Sequence, residues 1–153
     1  MIVTPEEYAQ IRSQAEAEYP HECCGVILAS EGSASRRRLV PCRNVQNELH
    51  AKDPERHPRD ACAAYFIASE DLLKIGRLEA EGFRIRTVYH SHIDAGAYFS
   101  DTDKQNARLG GEPLYPDATY LVVSVAEGRV ADAGAFRWDP SVRDFRPVPL
   151  DKP

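Results

Sequence analysis

The sequence predicts an α/β fold in which helices cover a mixed β-sheet. Helix-like segments and short apolar segments follow each other in the order helix, strands, helix, strand, helix, strands. The chain has 153 residues, 42% of them hydrophobic, and a chain of this size can bury a core without disulfides or metals. No repeat or linker divides it, so we expect a single domain over residues 1–153.

The first predicted element is a helix that begins after Thr4, a residue that can cap the helix N-terminus. Pro5 takes the first helical position, and Glu7 stands where a capping box requires an acid or amide. Pro20 ends this helix. The segments "CCGVILAS" and "RRRLVPCRN" follow, separated by the turn-forming "EGSAS", and predict a β-hairpin.

The middle of the chain is polar and contains two prolines between residues 45 and 61, which predicts an irregular loop. A loop of that length inside a compact domain is usually functional or mobile. The segment "AAYFIA" then predicts a short strand. Ser69 predicts the cap of a second helix, which Gly82 ends.

The second half of the chain contains the strand "RIRTVYHSH", predicted from its β-branched and aromatic residues. A third helix is expected from Ser100 to Leu109, where Gly110 stops it. The remaining predicted strands are "ATYLVVSV", "VADAGAF" and "RDFRPVPL".

The composition excludes several function classes. The net charge of -5 offers no basic surface to phosphates, so no nucleic-acid partner is expected. The apolar segments are far shorter than the roughly 18 residues that span a bilayer, and the N-terminus lacks the pattern of a secretion signal. We therefore expect a cytoplasmic protein with no membrane contact, whose four cysteines are free, buried packing residues.

Two histidines stand one residue apart at the end of a predicted strand, in "YHSHIDAGAYFSDTDKQNA". Side chains at i and i+2 of a strand point to the same face, so His90 and His92 would present two imidazoles side by side. A carboxylate could add a third ligand, and the best placed is Asp103, with Asp94 and Asp101 nearby. Imidazole and carboxylate ligands favour zinc, and a fourth position left to water is typical of a catalytic zinc site.

A simpler interpretation exists for part of this pattern. Ser100 could be only the cap of the following helix, with Asp101 and Asp103 favouring the helix dipole. That interpretation accounts for the serine but leaves the two histidines unexplained.

The spacing of "HSH", seven residues, Ser100, two residues and Asp103 resembles the H-x-H-x7-S-x2-D signature of the JAMM (MPN-plus) metalloprotease family. Glu22, in "YPHECCGVILA", is similar to the catalytic glutamate of that family, and the resemblance extends over roughly Met1 to Val125. It implies a cytidine-deaminase-like JAMM/MPN sandwich.

The same resemblance implies residue roles. His90, His92 and Asp103 would bind zinc with a water in the fourth position, Glu22 would act as general base and acid, and Ser100 would support the oxyanion. One departure is visible, because Ile93 stands where the family usually has proline. That change removes no ligand but is expected to loosen the loop.

The resemblance also implies a substrate. Compact prokaryotic JAMM relatives process ubiquitin-like sulfur-carrier proteins at a C-terminal Gly-Gly, so hydrolysis of an amide bond after such a tail is expected, with the loop over 45–61 covering the site. A metal-free MPN-type scaffold that only binds a protein partner is the alternative. The motifs argue against a zinc nucleobase deaminase, because His21 directly precedes Glu22 and the required P-C-x-x-C motif is missing.

Overall fold

A computed structural model describes residues 1–32 and 35–151. Part of the turn predicted over residues 31–35 lies outside these ranges. The helices within them are α1 (Pro5–Glu18), α2 (Gln46–Lys52), α3 (Ser69–Ala80) and α4 (Asp101–Asn106). The strands are β1 (Cys24–Ser30), β2 (Arg37–Cys42), β3 (Phe83–Ile93), β4 (Arg108–Leu109), β5 (Glu112–Pro113), β6 (Thr119–Ala126), β7 (Arg129–Asp139) and β8 (Asp144–Val148).

One sheet organises the described residues. Its six strands run in the order β2-β1-β3-β6-β7-β8, and every pair is antiparallel except β3 with β6. The helix α1 packs on one face through Ile11, which is fully buried against Leu121 and other apolar residues. The helix α3 packs on the opposite face through Ile75, near Val26 and Val88. The predicted α/β fold, with helices covering a mixed sheet, is confirmed.

The start of the chain folds as its sequence predicts. The Oγ1 of Thr4 accepts a hydrogen bond from the backbone N–H of Glu7, and the Glu7 carboxylate accepts one from Thr4 in return. The predicted capping box is therefore confirmed. In the described ranges, no helix is long and apolar enough to cross a membrane.

The segment over 45–61 is not the irregular loop that the sequence predicts, because its first part forms α2. The Oδ1 of Asn44 accepts a hydrogen bond from the Gln46 backbone N–H at 3.0 Å and so orients the chain at the start of this helix. The prolines follow α2, so they do not interrupt it.

The strand predicted in "AAYFIA" does not form, apart from an isolated bridge between Ile67 and Asn44. Its backbone groups bond instead to the Asn44 side chain, which donates to the Ala64 carbonyl and accepts from the Phe66 N–H. Nor does Ser69 cap α3, since it is the first helical residue and Ala68 holds the cap position without a side-chain hydrogen bond.

The third predicted helix is shorter than expected and ends at Asn106. The next residues form a small hairpin of β4 and β5, in which Gly110 and Gly111 both adopt positive φ. Two consecutive residues with positive φ are typical of the tightest hairpin turns. The glycines therefore make a turn between strands rather than end a helix.

All four cysteines are free, as predicted. Cys23, Cys24 and Cys42 are buried, which confirms their role as packing residues. The same prediction is wrong for Cys62, which is exposed because it lies in the segment that leads from α2 to α3.

The strands β1 and β3 approach closely at Gly25. The Tyr89 ring lies over this glycine on the face that α1 covers, and a Cβ at position 25 would overlap the ring. The Tyr89 hydroxyl donates to Gln14 Oε1 on α1 at 2.6 Å, and Gln14 Nε2 donates to the Cys24 carbonyl at 3.1 Å. The close approach is thus fixed by hydrogen bonds to α1.

Candidate metal centre

The pairing of β1 with β3 brings the predicted base to the predicted ligands. Cys23 N–H donates to Ser91 Oγ at 2.8 Å, and Ser91 N–H donates to the Cys23 carbonyl at 3.0 Å. This antiparallel register places Glu22 beside His92, on the face that His90 also occupies. Ligand atoms of Glu22, His90 and His92 all lie within 4.8 Å of one another, and all three residues are buried.

Asp103 reaches the same point from α4. Its Oδ1 lies 3.1 Å from His90 Nε2, and its Oδ2 lies 3.1 Å from His92 Nε2. The two Nε2 atoms are 3.2 Å apart. Zinc bonds of 2.0–2.1 Å in a tetrahedral shell imply ligand atoms about 3.3 Å apart. The distance between the two imidazole nitrogens, and the distance of each from one Asp103 oxygen, are close to this value.

The hydrogen bond of His92 to the backbone fixes which of its nitrogens faces Asp103. Its Nδ1 lies 2.9 Å from the Gly96 carbonyl, which can only accept, so Nδ1 carries the proton. The Nε2 of the neutral ring then directs a lone pair at the Asp103 carboxylate. A proton or a metal must lie between them, and an imidazole fixed by a backbone carbonyl is typical of metal ligands.

His90 is held by packing rather than by a hydrogen bond. Its Nδ1 is buried and has no partner in residues 1–32 and 35–151. The ring stacks on Tyr65, with centroids 4.7 Å apart and an angle of 25° between the planes. The segment that failed to form a strand therefore supplies the wall that orients the first histidine.

The two buried carboxyl groups differ in acidity. Burial raises the pKa of Glu22 to about 7, although the nearby imidazoles and Arg59 act in the opposite direction. Burial would also raise the pKa of Asp103, but the charge of His90 and hydrogen bonds from both histidines outweigh it, and the pKa falls well below its usual range. Two carboxyl groups with such different acidity are typical of a ligand and a base.

Ser100 is the N-cap of α4. Its Oγ accepts a hydrogen bond from the Asp103 backbone N–H at 3.0 Å, and its own N–H donates to Asp103 Oδ2 at 2.9 Å. The capping interpretation is thus confirmed, but it uses only the oxygen of the hydroxyl. The hydroxyl hydrogen can still donate into the cavity that Ser100 lines, so the oxyanion role stays a prediction.

The alternative acids do not reach the cluster. Asp94 is exposed and accepts hydrogen bonds from the Glu127 N–H and the Tyr19 hydroxyl, and Asp101 is exposed at the start of α4. The same bonds hold the loop after Ile93, where the sequence predicts loosening.

A cavity of about 80 Å³ opens onto the cluster. Four of its ten lining residues are site residues predicted from the sequence. The lining residues are Glu22, Arg59, Cys62, Ala63, His92, Ile93, Ala95, Tyr98, Ser100 and Asp103.

The fold and the family model together define the chain as a JAB-type (MPN) domain, with a buried cluster that could hold a metal ion. The model of the family described as prokaryotic homologs of the JAB domain matches residues 4–139, and the chain belongs to this family.

Named relatives agree with this assignment. The CysO-cysteine peptidase of Mycobacterium tuberculosis is 31% identical over 126 residues, covering 82% of this chain and 73% of the relative. The tail tip assembly protein K of Escherichia phage N15 is 34% identical over 125 residues, covering 77% of this chain but only 38% of that protein. The similarity to a peptidase supports a hydrolase activity of the peptidase type.

Solved structures share the fold. A protein from Salinibacter ruber has a TM-score of 0.62 at 26% identity, over 100% of this chain and 92% of that one. A protein from Desulfitobacterium hafniense has a TM-score of 0.64 over 95% and 88% of the two chains, and at 16% identity it supports the fold alone.

Proposed function

We propose that this protein is a zinc-dependent peptidase or isopeptidase that hydrolyses an amide bond after the C-terminal Gly-Gly of a ubiquitin-like or sulfur-carrier protein. One observation carries the proposal. His90 Nε2 lies 3.1 Å from Asp103 Oδ1, His92 Nε2 lies 3.1 Å from Asp103 Oδ2, and the two Nε2 atoms are 3.2 Å apart, with the proton of His92 held on its far nitrogen. With that tautomer, His92 Nε2 and the Asp103 carboxylate both present lone pairs, so a proton or a metal ion must lie between them.

The proposed roles follow from position and acidity. Zinc held by His90, His92 and Asp103 would make a water molecule more acidic and polarise the substrate carbonyl. Glu22 would take a proton from the attacking water while the water oxygen bonds to the carbonyl carbon. The same carboxyl would then give the proton to the departing amine nitrogen as the C–N bond breaks. A pKa of about 7 makes both forms of Glu22 accessible near neutral pH.

Two observations support the proposed substrate, and a third supports the proposed location. The named relative is a peptidase acting on a CysO-cysteine substrate. Small side chains at Ala63 and Ala95 line the narrow cavity, which suits a tail of glycines. Four free cysteines suit the cytoplasm, where thiols stay reduced and where we propose that the protein acts.

A peptide ending in Gly-Gly-Cys tests the function directly. We expect the purified protein to carry about one zinc per chain and to release cysteine from this peptide. A chelator should stop the reaction, and added zinc should restore it. The scaffold alternative predicts neither bound zinc nor cleavage, so a protein that lacks both would refute the proposal.

Replacing Ser100 by alanine should affect both stability and catalysis. We expect the free energy of unfolding to fall by about 1 kcal/mol through loss of the cap. We also expect kcat to fall by about 100-fold or more, with KM little changed, because the hydroxyl donates to the oxyanion only as its charge develops. Thermal melts and steady-state rates on one preparation separate these effects.

The matched control for Ser100 is Thr4→Ala, which removes the same kind of capping box from α1, away from the cavity. It should lose similar stability and keep the parental kcat. If Ser100→Ala behaves like Thr4→Ala, Ser100 is only a cap.

A further inference from the structure

Arg59 is the one arginine or lysine among the residues that line the described cavity. Its guanidinium makes no hydrogen bond or ion pair with the part of the chain that the structure describes. Elsewhere in those ranges, the guanidinium groups of Arg37 and Arg43 are paired with carboxylates. An unpaired guanidinium in the wall of a candidate active site is available to an anionic group of a ligand.

The backbone around Arg59 is anchored on both sides. The side chain of Gln46, itself buried at the start of α2, donates to the Arg59 carbonyl at 2.7 Å. Asn47 Oδ1 accepts from the Ala61 N–H at 2.8 Å, and the Ala61 carbonyl accepts from the Glu22 N–H at 2.7 Å. The backbone of Arg59 is therefore fixed relative to the residue proposed to protonate the leaving group.

The chemistry of the leaving group then decides which group of the substrate Arg59 can bind. Glu22 must reach the departing nitrogen, so that nitrogen lies on the wall that Glu22 and Arg59 share. If the leaving group is a C-terminal amino acid, its carboxylate is one carbon away from this nitrogen. If it is a lysine side chain in an isopeptide, no carboxylate lies there.

We infer that Arg59 binds the free α-carboxylate of the released residue, so that the protein removes a single C-terminal amino acid and does not cut isopeptides. The inference rests on the proposed function and narrows its substrate class. The planar guanidinium can bind a carboxylate through two parallel hydrogen bonds, which would also align the scissile bond with Glu22. Arg59 is thus a specificity-determining residue.

The test compares two peptides that both end in Gly-Gly-Cys, one with a free carboxylate and one with a carboxamide. The parent should cleave the free acid with a kcat/KM roughly 10- to 100-fold higher, the range expected for hydrogen bonds between charged groups. This preference should nearly disappear in Arg59→Ala and partly return in Arg59→Lys. The ratio of the two substrates cancels any effect of the substitution on Glu22 that both reactions share.

Arg56→Ala is the matched control, because Arg56 is exposed in the same segment and does not line the cavity. It should keep the parental preference. A parent that cleaves both peptides equally, or an Arg59→Ala variant that keeps the preference, would overturn the inference while leaving the proposed function intact. A zinc-loaded parent that cleaves neither peptide would overturn the proposed function and the inference together.

Discussion

Glu22→Gln is expected to lower kcat by at least about 100-fold and by up to about 10,000-fold, the range of general acid-base help. Glutamine keeps the shape and hydrogen-bonding reach of the side chain but cannot take up the proton. The zinc content should stay at about one per chain, because three other residues are the proposed ligands. The variant should still bind a Gly-Gly-ended conjugate without cutting it.

The same substitution has an expected effect on stability that a surface glutamate would not show. Burial raises the pKa of Glu22 from 4.5 to about 7, so the folded protein holds this proton more tightly than the unfolded chain does. Its contribution to the free energy of unfolding is complete below pH 4.5 and is lost as the pH rises through 7. Glutamine cannot ionise, so zinc-free Glu22→Gln should melt at or above the parent at pH 8.

Three measurements decide the role of Glu22: zinc content, melting temperature and cleavage rate. Glu55→Gln, at an exposed position outside the cavity, is the control and should match the parent in all three. Cleavage by Glu22→Gln at the parental rate would refute the assignment of the base. Loss of zinc in this variant would instead place Glu22 among the metal ligands, to which its side chain is close enough.

His92→Ala and Asp103→Asn are each expected to reduce the zinc content from about one per chain to near zero and to abolish cleavage. Each removes one of three protein ligands from an open site, and the remaining two hold zinc weakly. Asparagine keeps an oxygen that can accept the Ser100 N–H, so the cap of α4 is retained. Elemental analysis of the folded variants measures the effect.

Two substitutions provide controls for the ligand assignment. Asp101→Ala removes an acid two residues from Asp103 that points to solvent, and His21→Ala removes an exposed histidine next to Glu22. Both should keep their zinc. An unchanged zinc content in both His92→Ala and Asp103→Asn would show that the ion binds elsewhere.

Most of the sheet could be predicted because the composition of each strand segment by itself indicates a strand. The segments that became β1, β3 and β6 are apolar and rich in β-branched residues, and both faces of the sheet are buried. The segment 64–67 has a similar composition but no strand beside it to pair with. The side chain of Asn44 and the backbone N–H of Val45 take its backbone hydrogen bonds instead, and such long-range contacts leave no periodic pattern.

The candidate site also contains residues that the sequence predicts and residues that it does not. The spacing of His90 and His92 predicts by itself that they share a strand face. Asp103 is only the best placed of three nearby acids, and a site role for Ser100 follows only from the family resemblance. Glu22 is far away in sequence and could be named only through the family resemblance, since the register of β1 with β3 brings it near. No sequence pattern places Arg59 and Tyr65 at the site, because their positions depend on amide side chains that anchor the chain after α2.

The close approach at Gly25 means that tolerance to substitution cannot be judged from the cavity alone. Tyr89 and Gly25 lie on the opposite side of the sheet, out of reach of any substrate. Their contact nevertheless sets the distance between β1 and β3, and so the distance of Glu22 from the strand that carries the histidines. A methyl group at position 25 would separate the two strands and misplace the base without touching a reacting atom. A screen restricted to cavity residues would miss this position, whereas random mutagenesis should return it among inactive variants that still bind metal.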